Sequence, residues 1–147
     1  MTEILMALFT RDLNRLSTEI ASYKNEAAIW QTDKNIANSA GNLCLHIVGN
    51  LNTYIGATLA QTGYVRQRDL EFSLKDISRN ELLQKIEATI QVVQKGLSTV
   101  TTQQLQQPFP VIIWNEPKTT EYTLIHLAVH LSYHLGQVNY HRRLLDN

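Results

Sequence analysis

Apolar side chains recur at three- and four-residue spacing in four stretches of the chain, separated by polar or proline-bearing connections. In the first stretch Phe9, Leu13, Leu16, Ile20 and Tyr23 make one helical stripe, which predicts a helix over residues 2–24. A polar segment, Lys24 to Asn38, carries Trp30 and gives way to Ser39, a good N-cap. The second predicted helix, 39–60, then places Leu43, Ile47, Leu51 and Tyr54 on one face with Ile55 at its edge. Residues 61–77 hold Gly63 and the charged cluster Arg66, Arg68, Asp69 and Glu71 without sustained periodicity, and read as an ordered loop. Ser78-Arg79-Asn80-Glu81 matches a capping box and opens a third helix with Leu82, Ile86, Ile90, Val93 and Leu97 on one face. Helix breaking is confined to Pro108, Pro110 and Pro117, so residues 100–118, with Phe109, Val111, Ile112, Ile113 and Trp114, are expected as a short extended piece packed across the helices. Thr119 or Thr120 caps a fourth helix over 120–145, with Glu121 near the positive end of its dipole and Arg142 and Arg143 near the negative end. The expected fold is all-α, a four-helix bundle with long crossover connections, in a single domain spanning 1–147.

Composition narrows the chemistry more than the fold. The chain of 147 residues is 44% apolar and 18% charged, an ordinary globular balance with room for one core. Thirteen Lys and Arg offset thirteen Asp and Glu without a basic run, so the electrostatic footprint of a nucleic-acid binder is missing. The lone Cys44 excludes a disulfide framework, a four-cysteine zinc ribbon and a CxxC redox pair, and suits a reducing compartment. Met1-Thr2-Glu3-Ile4-Leu5 has no basic segment ahead of its apolar residues, and no stretch nears a membrane span. A cytoplasmic protein with no membrane partner is therefore expected.

The five histidines carry the candidate chemistry: His46 on the second predicted helix, and His126, His130, His134 and His141 on the fourth. At about 100° per residue, His134 falls near the centre of the fourth helix's apolar stripe, with His130, Gln137 and His141 on its flank. The same count puts His46 on the inward flank of the second helix. Two imidazoles at i and i+4 can converge on one ion, so His126/His130 and His130/His134 are both candidate ligand pairs, with a third ligand from elsewhere. His126 and His134, two turns apart, lie about 12 Å apart along the axis and cannot comfortably share one ion. A metalloprotease centre is excluded because Leu127 and Leu131 follow His126 and His130 where H-E-x-x-H needs a glutamate. A di-iron carboxylate bundle is excluded because no E-x-x-H occurs.

Two segments carry a resemblance to a known family. His130-Leu-Ser-Tyr-His134-Leu135-Gly136-Gln137 and Asn42-Leu-Cys-Leu-His46-Ile-Val-Gly-Asn50-Leu51 resemble the DinB-like proteins, metal-binding four-helix bundles, over nearly the whole chain. The stretch Val65 to Phe72 is similar to an uncharacterised branch of that group. The resemblance implies that His46, His130 and His134 bind a divalent ion, nickel or zinc. It also implies a thiol-dependent transferase or isomerase activity, taking a low-molecular-weight thiol and an electrophilic small molecule. A divalent ion held by neutral imidazoles can bind a thiol as thiolate and supply a nucleophile near pH 7. The rival reading is a non-catalytic bundle whose histidines sequester metal or stabilise a homodimer.

Remaining residues have structural readings beside functional ones. Gln137 orients a ligand histidine or a bound water, or is a half-exposed flank residue. Gly136, which costs about 1 kcal/mol of helix propensity relative to Ala, is expected at a close helix approach. His126 and His141 are expected beside the site or solvated rather than as ligands, and Tyr133 as packing or surface. Cys44 lies some 160° around the helix from His46 and reads as a small buried apolar residue. Arg66, Arg68, Asp69 and Glu71 read as an ion-pair cluster or an anchor for an anionic thiol or substrate. Trp30 and Trp114 are expected to seal the bundle, or to meet a second copy.

Overall fold

The computed structural model describes residues 1–147 and is entirely helical, without a strand. Its elements are α1 (Thr2–Ala21), a 3₁₀ turn (Glu26–Trp30), α2 (Ala40–Leu51) continued by a π turn (Asn52–Ala57), α3 (Arg68–Ser73), α4 (Arg79–Ser98), α5 (Thr102–Leu105) and α6 (Thr120–Leu145). Among the long helices, α1 packs chiefly on α4 and α6, and α2 on α6 and α4, which sets consecutive α1 and α2 diagonally in a helical bundle. One cluster of 26 buried apolar residues draws on every long helix. Phe9, Leu13, Leu16 and Ile20, all fully buried, form the α1 stripe that the spacing predicts; each contributes about 1.5–3 kcal/mol as an upper estimate.

Local chemistry sets the helix starts. Ser39 Oγ accepts from the Asn42 amide at 3.2 Å, and Thr119 Oγ1 accepts from the Tyr122 amide at 3.1 Å. Ser78 Oγ accepts from the Glu81 amide at 3.2 Å, but Glu81 turns outward to Lys85 at 3.3 Å, so only half of the expected box forms. A complete capping box forms instead at Thr101 and Gln104, opening α5 inside the connection expected to be extended. In that connection Phe109 is buried, whereas Val111 and Ile112 are 45% and 64% exposed and do not pack across the helices.

Three other departures have identifiable causes. α1 stops at Ala21, short of residue 24, because the Asp146 carboxylate accepts from the Lys24 and Asn25 amides at 2.6 and 3.0 Å and turns the chain aside. α2 loosens into a π turn where Asn52 Nδ2 donates to the Val48 carbonyl and Thr53 Oγ1 to the Gly49 carbonyl, at 2.8 and 2.7 Å, competing with the backbone ladder. The 61–77 loop contains α3, a turn and a half that carries Glu71 inward.

Trp30 seals the bundle as expected: its ring covers Gly41, where a Cβ would lie 2.6 Å away, and its Nε1 donates to the Ile77 carbonyl. Gly136 is exposed and its missing Cβ faces open space, so no helix approaches it, contrary to expectation. Cys44 is fully buried, and burial pushes its thiol up to about 12. His141 is neither solvated nor beside the other histidines. It is 3% exposed, with Nε2 facing the Gln31 carbonyl at 2.8 Å and Nδ1 facing the Tyr23 hydroxyl at 2.7 Å. A carbonyl only accepts, so Nε2 carries the proton and Tyr23 donates to Nδ1.

Candidate metal centre

α2 supplies His46 and α6 supplies His130 and His134, one turn apart, and their ligand-capable nitrogens all lie within 4.8 Å of one another. His46 Nε2 stands 3.3 Å from His130 Nε2, which stands 3.1 Å from His134 Nε2. Of the two candidate pairs on the fourth helix, the geometry brings His130/His134 to His46. His126 is exposed, stacks on His130 at 6.3 Å, and takes no place in the cluster.

The outer nitrogens decide what the inner ones offer. His46 Nδ1 lies 3.0 Å from Glu71 Oε1, and His134 Nδ1 lies 2.7 Å from Gln137 Oε1. Both partners accept there, so both Nδ1 atoms carry the protons and both Nε2 atoms present lone pairs inward. His130 has one Nε2 proton at most and cannot satisfy both. Two or three lone pairs thus converge on one point, a donor set that suits a cation. Nitrogens 3.1–3.3 Å apart and each about 2.0–2.1 Å from an ion would subtend about 95–110°, within ordinary coordination angles.

Glu71 is the member that residue spacing did not reveal. It is 5% exposed, and Arg66 holds it through Nε to Oε2 and Nη2 to Oε1, both at 2.8 Å. Its approach depends on Gly49, one turn from His46, where a Cβ would sit 2.1 Å from Glu71 Oε2. The available signals were Gly49, one turn from His46, and the expected Arg66–Glu71 charge cluster, while no helical periodicity marks α3. Of the charged loop cluster, Arg66 and Glu71 form the ion pair. Arg68 instead lies 5.7 Å over the Phe72 ring, and neither it nor Asp69 is ion-paired.

Burial and like-charged neighbours favour the neutral form of His130 and His46. His130 is lowered to about 4, by burial first and then by His134 and His46. His46 is also lowered, burial outweighing the hydrogen bond to Glu71 that opposes it. Neutral imidazoles are the form that binds metal at pH 7. The cluster opens on a cavity of about 330 Å³ lined by Asn50, Tyr54, Arg66, Arg68 and His126, with Ile113 and Leu127 as apolar wall. Trp114 is half-buried at this rim, its ring 4.8 Å from His126, rather than sealing the core, and Tyr133 is 63% exposed.

A family model matches residues 5–147, described as a protein of unknown function, DUF1572. The chain belongs to the DUF1572 family. No curated protein matches it. Its fold is similar to that of a conserved protein from Enterococcus faecalis known from a crystal structure, with a TM-score of 0.79 and 18% identity. That likeness covers 99% of this chain and 96% of the other. It concerns the all-helical fold alone. No helix of the chain is long and apolar enough to cross a membrane.

Proposed function

We propose that this DUF1572 protein is a DinB-like metal-binding bundle that holds a divalent cation on His46, His130 and His134 and serves a thiol-dependent transfer. The observation that carries the metal reading is the convergence of three imidazole nitrogens, of which those of His46 and His134 have their lone pairs held inward by the outer partners Glu71 and Gln137. When bound, nickel or zinc would supply the positive charge that turns a small-molecule thiol into a thiolate nucleophile near pH 7. The chain's own residues do the positioning. Glu71 holds the Nδ1 proton of His46 and fixes its ring, and Gln137 does the same for His134. Arg66 balances the charge of Glu71, so the outer sphere adds no net negative charge. The open cavity leaves room for a small thiol and an electrophile, which a closed structural site would not.

The test is metal analysis by mass spectrometry on tag-free protein refilled with nickel or zinc, beside His130→Ala. About one ion per chain in the parent, lost in a folded variant, is the expected result. Consumption of a low-molecular-weight thiol by an electrophile should then require the ion. No stoichiometric binding in the parent would remove the metal reading.

A homodimer is a second element of the reading, favoured by an apolar face shared by α1 and α6. Ile4 and Val129 are 61% and 62% exposed there, beside Met1 and Ile125. Light scattering should give twice the chain mass, and Val129→Glu should return it to one.

A further inference from the structure

Asn50 stands one turn beyond His46 on α2, hence on the same face, and lines the cavity beside the histidines. It is 8% exposed, and its Oδ1 is buried without a hydrogen-bond partner. A buried acceptor without a partner opposes folding, and almost any apolar side chain would avoid that cost. Beside an open cavity, such an atom offers an acceptor to whichever small molecule enters with a hydrogen-bond donor.

The charge on the cavity wall points to the rest of that ligand. Arg66 is committed to Glu71, so those two charges cancel. Arg68 lines the same cavity, lies against the Phe72 ring, and makes no ion pair or side-chain hydrogen bond. The protein side of the cavity therefore has one uncompensated positive charge, on a guanidinium whose donors match a carboxylate in pairs. A volume of about 330 Å³ lies at the small end of ligand pockets.

We propose that this cavity binds a small monocarboxylate that also carries a hydroxyl or amide N–H, its carboxylate on Arg68 and its donor on Asn50 Oδ1. The proposal rests on the reading of the neighbouring histidines as the working centre, and names the class of small molecule taken there. The buried unpartnered atom of Asn50 is its Oδ1, an acceptor, so it selects for a donor; Arg68 selects for the charge. An inorganic phosphate dianion would leave one of its charges unmatched by Arg68.

The experiment is a chemical-shift titration of the isotope-labelled full chain, metal-free and zinc-loaded, with glycolate, acetate and inorganic phosphate, in the parent, Arg68→Gln and Asn50→Ala. Glycolate should bind the parent about tenfold more tightly than acetate and shift the Asn50 amide and Arg68 Nε–H signals. Arg68→Gln, an exposed substitution that leaves the core untouched, should weaken both carboxylates about tenfold. Asn50→Ala should abolish the preference for glycolate while leaving the melting temperature unchanged or raised, an outcome that a purely structural role for Asn50 does not give. Equal binding of glycolate and acetate, binding that survives in both variants, or a tighter phosphate would overturn the proposal. Zinc stoichiometry separates the two readings. Glycolate selectivity in a chain that takes up no zinc keeps this subsite and removes the metal, whereas zinc uptake without glycolate selectivity does the reverse.

Discussion

His141 shows how one buried side chain ties the chain's two ends together. It bridges Tyr23, just past α1, to the Gln31 carbonyl, and burial lowers its pKa despite that carbonyl. A histidine held neutral in the folded state takes up a proton more readily when unfolded, from about pH 6.5. Its contribution is therefore fully present above pH 6.5 and is lost as pH falls below it toward the depressed folded value. Thermal melts between pH 7.5 and 5 are expected to lose more stability in the parent than in His141→Gln, and parallel curves would remove the assignment. Tyr23→Phe leaves Nδ1 without its donor and should cost about 1–3 kcal/mol, read from chemical denaturation. The helical count put His141 on the inward flank, where it was expected beside the site or in solvent; it is instead buried away from the other histidines. What surrounds it, a hydroxyl 118 positions away and a carbonyl 110 positions away, is invisible to any local count.

At the scale of elements, α3 decides the electrostatics of the candidate centre. It has no periodic stripe, because its attachment is polar: Asn42 Nδ2 donates to the carbonyls of Glu71 and Leu74 at 3.0 and 2.9 Å, and Arg66 grips the Glu71 carboxylate. Gly49 gives that carboxylate its space on α2. Gly49→Ala would ordinarily favour a helix by about 1 kcal/mol, but here its methyl must displace Glu71 from His46. Zinc affinity is expected to fall about 10–100-fold, the usual effect of losing a partner behind a ligand histidine. A chelator-competition titration measures it, and unchanged affinity would show that Glu71 does not orient His46. Helix starts at Ser39, Ser78 and Thr119 were legible because caps act within three residues. The π turn and the early end of α1 were not, since they arise from side-chain competition and from Asp146.

For the whole molecule, the core and the centre are separable. A core of 26 buried apolar residues draws on every long helix, so folding is expected not to require an ion. Chelation is expected to leave the helical circular-dichroism signal in place. Zinc at 100 times its dissociation constant should add about 2.7 kcal/mol, raising the melting temperature by about 5–10 °C. Loss of helix on chelation would instead make the site structural, as in small domains that fold around their metal.

Sequence by itself determined the four helical stripes, their principal caps, the buried state of Cys44, and the helix faces that carry His46, His130 and His134. Those properties repeat every three or four residues or act within one turn, so they are written locally. Only the tertiary structure decided that α1 lies diagonal to α2, that Glu71 backs His46, that Gly136 faces open space, and that Asn50 is left unpartnered beside a free Arg68. Each of these depends on which surfaces from distant parts of the chain are pressed together, and burial then fixes which polar groups find partners and which must wait for a ligand.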